Sequence, residues 1–181
     1  MIRLAPNLYF FILALLSLSG TVAHSQSINH KHLDSLLKSG QNYKVLKIIT
    51  SLDTLNLPQN ELATFYHYKA KCWGEENKNA KAFLNFLKAK RIYLAIDSID
   101  TAMKINLDIA NLLSDEKNNR KKATTYLQEF LDYALQKKDY LLIAKAYSTW
   151  AAIIMEEEPL ESFKLFKKSQ FFSEKIQNFA K

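Results

Sequence analysis

Three groups of side chains in this sequence could take part in chemistry, but none has the spacing that such a site needs. His30 and His32 point to different faces of a helix, so they cannot share a metal ion without further ligands. His67 and Cys72 are five residues apart, which is poor geometry for a nucleophile and its base. The adjacent glutamates at 156–158 cannot converge on a cation, and they suit a polar turn instead.

The chain also lacks the motifs of nucleotide-binding and hydrolytic enzymes. Its three glycines are too few to build a glycine-rich phosphate loop, and neither a GxSxG nor an HExxH motif occurs. We therefore predict that the protein is not an enzyme and that it has no catalytic residue, no metal site and no cofactor.

The first 25 residues have the features of a secretory signal peptide. Arg3 supplies positive charge, and residues 8–18 form an apolar run that ends at a serine and a glycine. This run is shorter than the roughly 20 residues that a membrane-spanning helix needs. We therefore predict an exported protein, periplasmic or extracellular, that keeps no membrane span after cleavage.

The cleavage site is predicted before Gln26, because Ala23 and Ser25 place small residues at the −3 and −1 positions. A cut before His24 is the alternative, since small residues also precede that position. The predicted signal peptide therefore covers residues 1–25, and the mature chain begins within two residues of Gln26.

The mature chain is basic. The whole sequence has 25 Lys and Arg against 18 Asp and Glu, so removal of Arg3 leaves a net charge of +6. Lysines are spread along the whole mature chain, which is typical of solvated helix faces, and we predict no nucleic-acid partner. Cys72 is the single cysteine, so no internal disulfide can form and packing must hold the fold.

Apolar residues recur three and four positions apart over long stretches of the mature chain, and this periodicity predicts helices. Gly40 can close a helix in the left-handed conformation, and Pro58 and Pro159 suit first turns. The predicted helices are 29–38, 42–54, 59–74, 78–96, 99–115, 118–137, 139–156 and 159–179. The candidate N-caps are Asp97, Ser98 and Asp139.

A repeat of about 40 residues runs through these helices, and a fixed period is the signature of a stacked array. The second helix of each pair has a small residue, a large residue four positions later and another matched residue three positions after that. These positions are Ala82, Phe86 and Ala89, then Ala123, Leu127 and Phe130, then Ser162, Phe166 and Ser169. The first helices carry one matched small residue each, and these are Ala70, Ala110 and Ala151.

The pattern resembles the tetratricopeptide repeat (TPR), and the resemblance covers about residues 63–172. Its best unit begins at Ala144, with the sequence AKAYSTWAAIIMEEEPLESFKLFKKSQFF. The step near 40 residues exceeds the usual 34 or so of that family, and Lys69 and Phe130 depart from its pattern.

This resemblance implies an all-α fold, a short right-handed α-solenoid of about four helical hairpins. Residues 26–57 would form an irregular first hairpin that acts as a cap, and residues 58–181 would form the repeats. The predicted core consists of Tyr66, Ala70, Trp73, Ala82, Phe86, Ala110, Leu113, Ala123, Leu127, Tyr147, Trp150, Ala151, Ile154 and Phe166.

The resemblance also implies a function, because solenoids of this family bind peptides or helices of other proteins on a concave face lined by the first helices. The residues expected on that face are Thr64, His67, Lys71, Lys104, Leu107, Asn111, Lys145, Ser148 and Ala152. Their three lysines favour an acidic protein or peptide partner, although lysine is common enough here to occur on that face by chance. The sequence gives no indication of an oligomeric state.

A second function class is signalling. Exported repeat arrays also resemble the sensory parts of bacterial histidine kinases and of repeat-bearing transcriptional regulators. That resemblance implies a fragment of a longer signal-transduction protein, followed by a transmembrane helix and an output domain. The coding DNA beyond Lys181 separates the two classes, since an immediate stop supports a binding protein and an in-frame apolar stretch supports a receptor.

We expect the exported protein to begin at Gln26. N-terminal sequencing or the intact mass of exported material measures this directly. Recovery of the full-length chain in the membrane fraction would show that residues 8–18 act as an anchor and are not removed.

Overall fold

The computed structural model describes residues 28–114 and 117–179, and the predicted signal peptide lies outside them. These residues form eight α-helices and no strand. The helices are α1 His30–Lys38, α2 Asn42–Thr50, α3 Gln59–Glu75, α4 Asn79–Ala95, α5 Ile99–Ser114, α6 Arg120–Lys137, α7 Tyr140–Ile154 and α8 Pro159–Phe179. A short 3-10 turn, Lys117–Asn119, precedes α6. Within the described ranges, no helix is both long enough and apolar enough to cross a membrane.

The helices form four hairpins that pack in series. Each helix packs against its neighbours in the chain, both within a hairpin and between one hairpin and the next. The predicted all-α, solenoid-like arrangement is thereby confirmed. The first hairpin differs from the others, because α1 and α2 have nine residues each, whereas the later helices have 15 to 21.

Four of the connections between helices share one turn geometry. In each, a residue with φ between +55° and +71° follows the helix end, and these residues are Gly40, Asn77, Asp97 and Lys138. At the α4 end, the Asp97 N–H donates to the Leu94 carbonyl and the Ser98 N–H donates to the Tyr93 carbonyl, which is a Schellman motif. Gly40 behaves as predicted, but Asp97 is the left-handed residue and not an N-cap. Asp139 does cap α7, because its Oδ1 accepts from the N–H groups of Leu141 and Leu142.

The matched small residues lie in the buried interior between helices. Ala70, Ala110 and Ala151 of the first helices have no exposed surface, and the residues at the first matched position of the second helices are equally buried. Ser162 replaces alanine at that position in α8, and its hydroxyl donates to the Ala151 carbonyl at 2.8 Å. Ser169 donates in the same way to the Ala144 carbonyl. Serine is therefore tolerated at the buried position 162 and the partly buried position 169, because each hydroxyl donates to a carbonyl on α7.

The predicted core is largely buried, with one clear error. Phe166 is 41% exposed, whereas the matched residues Phe86 and Leu127 are 3% and 0% exposed. Phe86 and Leu127 belong to the main apolar cluster, whereas no further hairpin packs against α8 in the part of the chain that the structure describes. The large aromatic residues of the first helices are half-buried and pack against the edge of the core, and they are Tyr66, Trp73, Tyr147 and Trp150.

Phe130→Ala should lower the free energy of unfolding by about 3–5 kcal/mol, because it empties the site of the largest fully buried side chain. Phe166→Ala is the matched control, and its cost should be about 1 kcal/mol or less because Phe166 is already in contact with water. Urea unfolding followed by circular dichroism measures both. Equal losses from the two variants would contradict the exposed position of Phe166.

Candidate partner-binding groove

A groove runs along the first helices of the four hairpins. It consists of two cavities of about 610 and 550 Å³ that share Asn111 at their boundary. Side chains of α1, α3 and α5 line most of the first cavity, together with Phe86 of α4. Side chains of α5 and α7 line most of the second, together with Arg120 of α6. We use "the groove" for these two cavities together. The residues of its first part are Asp34, Leu37, Lys38, Lys71, Gly74, Glu75, Asn77, Phe86, Asp108, Asn111 and Leu112. Those of its second part are Asn111, Ser114, Arg120, Ser148, Thr149, Ala152, Ile153, Met155 and Glu156.

Four of the nine residues that were expected on the concave face line the groove. Lys71 is in the first part, Asn111 lies at the boundary, and Ser148 and Ala152 are in the second part. Each comes from the first helix of its hairpin.

Two of the nine residues are buried and cannot contact a partner. Thr64 is 5% exposed because α4 covers it, and its hydroxyl forms a 2.9 Å hydrogen bond with the hydroxyl of Tyr93. Leu107 is 4% exposed and belongs to the main apolar cluster. Their expected place on the open face is therefore wrong. Lys104 and Lys145 are exposed on α5 and α7, but they do not line either cavity.

His67 does not line the groove itself, but it contacts a residue that does. Its Nε2 lies 2.7 Å from Oδ2 of Asp108, and Asp108 lines the groove. The imidazole ring also meets the ring of Phe86 edge-on, with centroids 5.8 Å apart. His67 thus links α3 to α5 and fixes the carboxylate of Asp108, so its role is to position another group.

Gly74 lets α3 and α5 approach each other at the floor of the groove. A Cβ atom at this position would lie 3.3 Å from Cδ1 of Leu112, which is tighter than most side-chain contacts. The glycine is inside α3 and has no positive φ. This position therefore favours glycine because of its small size and not because of its conformational freedom.

The groove carries both signs of charge. Its lining includes three cations, Lys38, Lys71 and Arg120, and four carboxylates: Asp34, Glu75, Asp108 and Glu156. Glu75 lies one helical turn after Lys71, and Asp108 one turn after Lys104, so each of these lysines has an acidic neighbour on its own helix. A single-signed basic row is therefore absent from the described groove. Asp34, Glu75 and Asp108 were missed in the sequence, although each lies four residues from a lysine on its own helix.

The positive charge of the chain lies mainly on the second helices. Helices α2, α4, α6 and α8 contain fourteen Lys and Arg against four Asp and Glu, whereas α1, α3, α5 and α7 contain six against five. The outer faces of the second helices point away from the first helices that line the groove. The net charge of the protein is therefore not a property of its groove.

Of the glutamates at 156–158, Glu156 lines the second part of the groove. Glu156 and Glu157 each accept a 2.7 Å hydrogen bond from the guanidinium of Arg120, whose side chain is only 15% exposed. This ion pair ties the start of α6 to the end of α7. Among the described residues, no group of three or more His, Cys, Asp or Glu could hold a metal ion.

Cys72 does not line the groove and belongs to the apolar cluster under the first hairpin. It has no exposed surface, and its thiol points at the carbonyl of Asn42 at 3.6 Å. Burial, with a smaller effect of Glu76 and Glu75, raises the pKa of the Cys72 thiol to about 12. His67 binds Asp108 on α5, so it does not act as a base for Cys72.

No protein-family model, no curated protein and no solved structure matches this chain. The functional argument therefore depends on the geometry of the groove and on the charges around it.

Cys72 should be unreactive in the folded protein at about pH 8, because only the thiolate attacks and the raised pKa keeps the thiol protonated. The unfolded chain has an ordinary thiol pKa, so its labelling should become faster as the pH rises from 8 to about 9, while the folded protein stays unlabelled. Reaction with a chromogenic disulfide, with and without urea, measures this. Equal labelling rates in the two states would contradict the buried position of Cys72.

Proposed function

We propose that this chain is an exported scaffold of TPR-like hairpins that binds an extended or helical segment of a partner protein in its groove and does no chemistry. The observation that carries the proposal is that the two neighbouring cavities of the groove together take lining residues from all four hairpins. Asp34 of α1, Lys71 of α3, Asn111 of α5 and Ala152 of α7 all line it. A site assembled from successive repeats suits a ligand that is itself elongated.

The position of the matched small residues supports the TPR-like part of the proposal. In that family, a small residue on the first helix faces a small residue on the second. Here Ala151 on α7 meets Ser162 on α8, through the hydrogen bond described above. The offset of about 40 residues is accommodated by second helices of 17 to 21 residues. The proposal of export depends on the pattern of the first 25 residues.

The lining charges favour a partner segment that carries both signs. Lys38 and Lys71 can pair with carboxylates of the ligand, while Asp34, Glu75 and Asp108 can pair with its lysines or arginines. Leu37 and Leu112 provide apolar contacts between these charges. A purely acidic segment would meet three carboxylates in the first part of the groove, so a mixed-charge segment fits better.

Peptides selected from a random display library on the immobilised protein should bind in the groove. Asn111→Arg and Ala152→Arg each place a long side chain into it, and we expect each to weaken a selected peptide at least about tenfold, which corresponds to about 1.4 kcal/mol. Fluorescence anisotropy of the labelled peptide measures the affinity.

Thr125→Arg is the matched control, since Thr125 is exposed on α6 outside the groove and the substitution adds the same charge. Its affinity for the peptide should equal that of the unaltered protein. Equal affinity in all three variants would remove the groove as the binding site, even if the peptides bind elsewhere on the protein.

A further inference from the structure

The outer side of α8 presents large apolar side chains together with lysines. Leu160 is 81% exposed, Phe163 is 61% exposed and Phe171 is 52% exposed. With Lys164 and Lys167, these residues recur at intervals of three and four along the helix, so they form one continuous stripe. We use "the α8 stripe" for these five residues.

The α8 stripe faces away from the rest of the protein. The opposite side of α8 is buried against α7, where Ser162 and Leu165 have 1% and 6% of their surface exposed and Ser169 bonds an α7 carbonyl. The groove is lined by first helices, α7 included, so a surface bound to the α8 stripe leaves the groove open.

Comparison with the inner hairpins shows how unusual this exposure is. Phe83 is the residue of α4 that matches Phe163 in the repeat. It packs edge-on against Tyr126 of α6, and Nζ of Lys122 lies 4.0 Å from the centre of its ring. At Phe163, by contrast, Nζ of Lys167 from the same helix lies 5.6 Å from the centre of the ring, and most of the side chain is exposed. The stripe therefore contains a phenylalanine whose counterpart in α4 packs against the next hairpin. No element among the described residues packs against the stripe itself.

The charge on α8 decides what kind of surface fits it. The helix has four lysines and two glutamates, and Glu161 is already bound to Lys164 at 2.9 Å. Two copies of this helix placed face to face would oppose lysine to lysine, so a second copy of the chain is disfavoured. The surplus positive charge is complementary to an anionic surface.

We propose that the α8 stripe docks the protein on the surface of an anionic lipid bilayer. A single protruding helix needs no matching cavity in a bilayer, whereas a folded protein partner would have to provide one. The leucine and phenylalanines would enter the boundary between headgroups and acyl chains, and the lysines, Lys168 included, would lie among the headgroup phosphates. Such docking would be peripheral, without a membrane-spanning segment. It is a second function beside the proposed peptide binding, and it would hold the groove close to the membrane.

The test is sedimentation of the purified protein with vesicles of phosphatidylcholine alone and of phosphatidylcholine mixed with phosphatidylglycerol. The unaltered protein should bind the mixed vesicles and not the neutral ones. The double variant Phe163→Ser, Phe171→Ser and the triple variant Lys164→Glu, Lys167→Glu, Lys168→Glu should each bind at least about tenfold more weakly. Every variant keeps the same N-terminus, so any contribution of residues 8–18 cancels.

Two controls change exposed residues outside the stripe. Leu84→Ser removes a 59% exposed leucine from α4, and the triple reversal of Lys44, Lys47 and Lys121 to Glu removes the same charge from α2 and α6. Both controls, and the groove variant Asn111→Arg, should bind the mixed vesicles as the unaltered protein does. Circular dichroism checks that each variant keeps its helices.

Three results would overturn the proposal. The first is absence of binding to the mixed vesicles, and the second is equal loss of binding in the stripe variants and their controls. The third is a dimer, seen by analytical ultracentrifugation without lipid, that Phe163→Ser and Phe171→Ser dissociate, since the stripe would then bind a second copy. None of these results bears on peptide binding in the groove, so the two proposals fail independently.

Discussion

The close approach of paired helices is the constraint on which the rest of this structure depends. Helices can approach closely only where one of the facing residues is small, and the chain provides such a residue on each first helix at Ala70, Ala110 and Ala151. Because these positions recur at nearly constant spacing, consecutive hairpins stack with similar geometry, and their first helices come to lie side by side. The groove is a result of this stacking and has no dedicated element of its own. A larger residue at any of the three positions would displace one wall of the groove relative to the next.

The parts of the fold that depend on local pattern were accessible from the sequence. The eight helices follow from apolar periodicity, and all of them occur close to their predicted positions. The largest difference is the end of α2, predicted at residue 54 and found at Thr50. There the hydroxyls of Thr50 and Ser51 bond to carbonyls of the preceding turn, and Asp53 caps the following turn through the Leu55 N–H. These side chains compete with the helix for hydrogen bonds to backbone groups. The periodicity of apolar residues gives no indication of that competition.

The residues of the groove could be predicted less well from the sequence, because they depend on how each helix is rotated about its axis relative to the next. The sequence placed Thr64 and Leu107 on the open face, but Tyr93 and the main cluster cover them. It also gave no indication that Asp34 of the irregular first hairpin would reach the same groove as Lys71. Phe166 shows a further limit, since a repeat pattern assigns the same environment to every copy and cannot identify the copy whose outer side is left uncovered.

The apolar interior is divided into two clusters, one under the first hairpin and one under the other three. The first cluster contains residues of α1, α2 and one side of α3, including Leu33, Val45 and Cys72. In such a serial array, the first hairpin can detach at a cost smaller than that of global unfolding. The groove spans this division, because three of its lining residues belong to α1 and the others come from later parts of the chain. A ligand that fills both parts would join two units that otherwise open separately, so occupancy of the groove and the local stability of the first hairpin would be thermodynamically linked.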